Sequence, residues 1–135
     1  METERSETIR VLAVISAERQ EDVRRQIVSF GMDPVLVSRA SQLTPLIQEG
    51  EAYQVVLLPA SLPNTADWWA IWGDLSMLSP RPVILVYAPT ASFQLWSGVL
   101  EAGGYDVIVE PLTDAKLRDA LLRAAASYDA SDRAE

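Results

Sequence analysis

Ser16, Glu18, Tyr87 and Glu110 are the side chains with nucleophile, acid or base chemistry that stand where apolar runs of this sequence end. A serine nucleophile needs a base beside it, but the chain has no histidine and its single lysine, Lys116, lies elsewhere. Ser16 therefore reads as the N-cap of a helix. Glu18 and Glu110 would form an acid–base pair only if their environments split their proton affinities, and both fall at positions open to water, so they read as solvated acids. The absence of cysteine as well as histidine excludes disulfides, thiolate chemistry, the common zinc sites and histidine phosphotransfer on this chain. The reading is of a protein that is not an enzyme, with no metal-ligand set and no cofactor.

The 135 residues match one domain, 1–135, with an ordered core of about 9–126 between short polar tails. Nineteen acidic against eleven basic side chains leave a net charge of −8, which repels nucleic-acid phosphates and anionic lipid headgroups. The opening METERSETI carries both signs of charge and no apolar segment after a basic start, unlike a secretory signal. No stretch approaches the roughly 20 apolar residues of a membrane span. These features predict a cytoplasmic protein that binds neither nucleic acid nor membrane.

Apolar runs at Ile9–Ile15, Val35–Val37, Tyr53–Leu58, Val83–Tyr87 and Val107–Val109 alternate with helix-like segments. VVLL and VILVY are apolar on consecutive residues, as strands covered on both faces are, which predicts an α/β doubly wound domain on a five-stranded parallel sheet. Val23, Ile27 and Phe30 make the inward stripe of a first helix that Gly31 ends, with Arg19, Arg24 and Arg25 on a solvated face among acids. A second helix starts at Thr44-Pro45, or one turn earlier at Ser41, and buries Leu46 and Ile47. Thr65 or Asp67 caps a third, with Trp68, Ile71, Trp72 and Leu75 inward. A fourth spans Ser92–Ala102 and stops at Gly103-Gly104. A fifth begins near Thr113 and buries Leu117, Ala120, Leu121 and Ala124.

Three of the four tryptophans fall within five residues on the third helix. Trp68 and Trp72 suit the core. Trp69 lies about 100° around the helix from Trp68 and misses the stripe, so it is a candidate for a contact surface. Phe93 and Trp96 on the fourth helix are further candidates, either core or exposed.

In such a sheet reactive groups gather at the carboxyl ends of the strands. The segments there, YQVVLLPASLP and VLEAGGYDVIVEPL with PVILVYA between them, resemble the receiver domain of bacterial two-component response regulators, over about Arg10 to Ala126. The first is similar to the family's third strand with its D-x-x-L-P exit, the second to its A-x-x-A-G-A-x-D-Y-x-x-K-P-F segment. The resemblance implies the flavodoxin-like topology with strand order 2-1-3-4-5, a role in signal transduction, and a cis Glu110–Pro111 peptide. It also implies where the chemistry stood. Pro59 matches the phosphoacceptor aspartate, Ile15 and Ser16 the acidic pair, Tyr87 the hydroxyl residue, Glu110 the lysine, and Val107 the aromatic rotor of the switch.

At these positions the family's chemistry is missing. Proline has no atom to accept a phosphoryl group, and the oxygens that magnesium requires are largely gone. A carboxylate about 4 Å from a phosphate costs about 1 kcal/mol in water and about 4 at an effective dielectric of 20. The leading expectation is a pseudo-receiver that works without phosphorylation, as a protein-interaction or dimerisation module of signal transduction. The alternative is a small-molecule sensor in which Ser16, Tyr87 and Glu110 surround a ligand in the vacated pocket. A flavin protein ranks third, because VISAE lacks the glycine and hydroxyl residues that cradle a phosphate.

Overall fold

The two runs that are apolar on consecutive residues, Val55–Pro59 (β3) and Val83–Ala88 (β4), pair with each other in the middle of a parallel sheet. Arg10–Val14 (β1) pairs with β3 on its other side, and Asp33–Val37 (β2) and Asp106–Val109 (β5) form the edges, giving the order β2-β1-β3-β4-β5. The computed structural model describes residues 8–48, 52–60, 65–77 and 81–134, with side chains at all of these except 40, 48, 65–69, 76 and 130–134.

Because strand side chains alternate between faces, the sheet builds two apolar layers. Val11, Ala13, Ile15, Leu57, Leu85 and Tyr87 face Ala17–Ser29 (α1) and Asp114–Ala134 (α5), where Val23, Ile27, Leu117, Leu121 and Ala124 meet them. Leu12, Val14, Val56, Leu58, Ile84 and Val86 face the other way, against Leu43–Gln48 (α2), Thr65–Ser76 (α3) and Phe93–Glu101 (α4). Ile71, Trp72 and Leu75 carry the α3 contribution, and the Trp72 indole N–H donates to the Ala102 carbonyl at 2.6 Å. The expected fold class, strand order and buried stripes of α1 and α5 are thus present, and Glu110–Pro111 is cis as the resemblance implies.

Three local readings need correction. The second helix starts neither at Thr44-Pro45 nor at Ser41: a 3₁₀ turn at Ala40–Gln42 leads into α2 at Leu43, which is fully buried. The reason is Gln42, whose side-chain oxygen accepts from the backbone N–H groups of Ser38 and Arg39 at 2.9 and 3.0 Å and ties the turn down. Pro45 then occupies the first turn, where no helical donor is lost. Secondly, α5 continues to Ala134, beyond the expected core limit of 126, although its last buried residue is Ala125. Thirdly, Ser16 is the N-cap of α1 by position, but its side chain makes no capping hydrogen bond. The caps expected at Thr65 or Asp67, and the side chains of Trp68 and Trp69, lie outside the described residues.

Candidate functional site

The carboxyl ends of β1, β3, β4 and β5 lie along one rim of the sheet, and Ile15 and Tyr87 belong to the apolar layer on its α1/α5 side. Ile15 follows β1 and is fully buried, its N–H donating to Val37 O at 2.8 Å. Pro59 is the last residue of β3 and is half-buried; the register sets it beside Tyr87 of β4. Ser16 is exposed at the start of α1.

Tyr87 is the residue around which the rim closes. Its alternation with Leu85 turns the ring toward α1 and α5, and its hydroxyl donates to the Val14 carbonyl. Since β3 lies between β4 and β1, the phenol spans the end of β3 to reach its acceptor. Burial pushes the Tyr87 hydroxyl up to about 12, with the Arg19 charge pulling it down and Glu110 pushing it up.

Arg19 is the rim residue that the sequence did not place at the site. Its expected place was a solvated face, but it sits one turn into α1, where the helix starts directly above the rim. From there Nη1 reaches the Glu110 carboxylate at 2.7 Å and the guanidinium lies over the Tyr87 ring, 5.8 Å from its centroid. The acid that follows β5 is therefore neutralised from within the chain. A basic residue one turn into the helix after β1, together with an acid after β5, is the signal that would have found the pair. Glu18, the other half of the supposed carboxylate pair, is exposed. Lys116 is exposed too, but it turns back toward the rim, donating from Nζ to the Val109 carbonyl at 3.1 Å.

Between α1 and the start of α5 runs a shallow cleft beside this pair, lined in part by Arg19, Arg25, Gln26 and Asp114. The Gln26 amide bridges it, donating to Leu112 O at 2.9 Å and to Asp114 Oδ1 at 2.8 Å. Among the described residues no three His, Cys, Asp or Glu side chains come together as metal ligands. Among the described residues, the positions matched to the family's site offer a serine hydroxyl, a tyrosine hydroxyl already donating and a carboxylate already paired, which does not fit the carboxylate-rich octahedral set of magnesium. The last group of candidates divides: Phe93 and Trp96 are both exposed, resolving the choice left open for them, while Trp69 is not described.

Solved structures set this geometry in context. A protein of Burkholderia pseudomallei described as pilus assembly-related is 30% identical, with a TM-score of 0.73, over 88% of this chain and 90% of its own. The chain belongs to the family of that Burkholderia protein. A second member of the comparison, the pilus assembly protein CpaE of Burkholderia thailandensis, is 26% identical with a TM-score of 0.69 over 89% and 99% of the two chains. The signal receiver domain of a LuxO repressor protein from Vibrio parahaemolyticus reaches a TM-score of 0.80 at 15% identity, over 96% and 98%. The family's architecture in this chain is thus the receiver fold. No protein-family model and no curated protein matches the chain. None of the helices in the described residues is long and apolar enough to cross a membrane.

Proposed function

We propose that this chain is a pseudo-receiver: one domain spanning 1–135 that has kept the receiver scaffold, lost phosphorylation, and acts in the cytoplasm as a non-enzymatic protein-interaction module of a signalling or pilus-assembly machinery. The observation that carries this reading is the closed rim. Ile15 is buried, Pro59 offers no nucleophile, the Tyr87 hydroxyl is spent on Val14, and Glu110 is bound to Arg19. A phosphoryl group arriving there would meet a carboxylate where a cation is needed, and would have to displace an ion pair and a buried phenol to do so. The same engaged side chains speak against a ligand in a vacated pocket. The pilus-assembly context rests on the descriptions of the two Burkholderia proteins. A protein partner suits the exposed Phe93 and Trp96 better than nucleic acid or membrane, since the chain carries a net charge of −8.

The test is an amide NMR titration with magnesium and beryllofluoride. The spectrum is expected to stay unchanged at Ile15, Pro59-adjacent Ala60, Ala88 and Glu110; saturable shifts confined to those strand ends would overturn the proposal.

A further inference from the structure

Arg19 and Gln26 lie about two turns apart on one face of α1, and both reach the segment that leaves β5. Arg19 holds the Glu110 carboxylate at 2.7 Å, and the Gln26 amide donates to Leu112 O at 2.9 Å and to Asp114 Oδ1 at 2.8 Å. Alternate residues of that segment are thus fastened to α1. The exit of β1 is tied in the same manner, by the Gln20 amide donating to Ile15 O at 3.0 Å and by the Tyr87 hydroxyl donating to Val14 O.

Several of these contacts join into one chain. The Val14 carbonyl meets the Tyr87 hydroxyl, the Arg19 guanidinium lies 5.8 Å from the centroid of the Tyr87 ring, and the same guanidinium meets Glu110. The chain crosses the exits of β1, β4 and β5. The exit of β3 is bound to it as well, since the Ala60 N–H donates to the Tyr87 carbonyl at 2.9 Å.

We propose that this chain of contacts is a strap that holds the mouth of the sheet, and α4 beyond it, in a single conformation, so that the domain presents its surfaces permanently and not in response to a signal. This rests on the pseudo-receiver reading and extends it, from a site that takes no phosphoryl group to a scaffold without a second state to be driven into. The reason is what opening would require. Tyr87 is only 7% exposed, so turning its ring away leaves a phenol hydroxyl and the Val14 carbonyl unpaired inside the fold, where a hydrogen bond is hardest to lose. The Arg19–Glu110 pair is partly exposed and weak by itself. Its part is to lie over the Tyr87 ring, so that any movement of the ring must break it too. Another shape of the mouth has to open these contacts together, and its population falls with each one. α4 is caught between two fixed points: Tyr87 anchors the strand that leads into it, and the Trp72 indole donates to Ala102 O at its C-terminal end.

Amide relaxation dispersion on the full chain, which reads exchange on the microsecond-to-millisecond scale, tests this. Wild type is expected to give flat profiles at Ile15, Ala60 and Glu110 and along α4. Tyr87→Phe keeps the ring and removes the hydroxyl, and should raise the population of an alternative mouth about tenfold. Adding Arg19→Ala should raise it about threefold more. In both variants dispersion should appear at the mouth and in α4, while Leu12 and Val56 in the middle of the sheet stay flat. Arg25→Ala is the control, because its partner Asp22 lies on the exposed side of α1, and it should leave every profile flat. Exchange at the mouth of the wild type, flat profiles in both strap variants, or exchange spread evenly through the sheet overturns the proposal. The magnesium and beryllofluoride titration reads a different property: exchange in the wild type with no response to those ions removes the strap alone, whereas a response to them removes the pseudo-receiver reading beneath it.

Discussion

Arg19 Nη1 stands 2.7 Å from the Glu110 carboxylate, linking the first turn of α1 to the residue that leaves β5. The two side chains are partly exposed, at 41% and 21%, so their attraction is screened and its contribution to stability is small, on the order of 0.5–1 kcal/mol. Its influence is clearer on its neighbour. Arg19 lowers the proton affinity of the Tyr87 hydroxyl and Glu110 raises it. Arg19→Ala should therefore move the Tyr87 ionisation to higher pH and Glu110→Gln should move it lower, read as tyrosinate absorbance in an alkaline titration.

Tyr87 itself should ionise near pH 12, as an absorbance step that Tyr87→Phe abolishes. The sign of the linkage follows. The folded state holds this proton more tightly than the unfolded chain, where a tyrosine ionises at 10.0, so the stabilisation is fully present below about pH 10 and declines as pH rises toward about 12. Tyr87→Phe should flatten that decline. At neutral pH it leaves the Val14 carbonyl without its hydroxyl donor, at a cost of about 1–2 kcal/mol in urea unfolding. An unchanged alkaline slope in the variant would show that another group is responsible.

Gly104 predicts a steric cost. A Cβ there would lie 2.5 Å from Val99 Cγ1, 3.0 Å from the Val99 carbonyl oxygen and 3.0 Å from the Trp72 ring. The Val99 oxygen already accepts from the Gly104 N–H at 2.8 Å, and Trp72 is fixed by its bond to Ala102, so neither neighbour yields freely. Gly104→Ala should destabilise by about 1–3 kcal/mol. Gly98→Ala is the control: nothing lies within 4 Å of its Cβ position, and the change should be neutral or mildly stabilising. A thermal melt of the pair decides it.

The contrast between what was and was not legible follows the range of the interactions. VVLL and VILVY announced central strands because burial on two faces leaves no polar alternation to hide in, and Val23 with Ile27 announced α1 because the helical period is local. Arg19 was misread for the opposite reason. Its local company is acidic, and only the fold brings Glu110 and Tyr87 beneath it from distant parts of the chain. The start of α2 turned on Gln42 reaching back to Ser38 and Arg39, a bond that no hydrophobic pattern encodes. For Phe93 and Trp96 the sequence left core and exposure open, because how much of α4 is covered depends on where the helix lies over β5.

Two serines at helix starts give a final, internally controlled test. Ser92 and Ser16 both occupy N-cap positions, but only Ser92 accepts a hydrogen bond with its side chain, from the Leu95 N–H at 3.0 Å. At Ser16 the first turn of α1 is closed by the backbone, the Arg19 N–H donating to the Ser16 carbonyl at 2.9 Å, a bond that a side-chain change leaves in place. Ser92→Ala should therefore cost about 1 kcal/mol, the usual worth of a capping hydroxyl, while Ser16→Ala should cost no more than a few tenths. Urea unfolding of the two variants under identical conditions measures the difference directly. Equal losses would mean that the Ser16 hydroxyl caps α1 in solution and is engaged there, as the Ser92 hydroxyl is on α4.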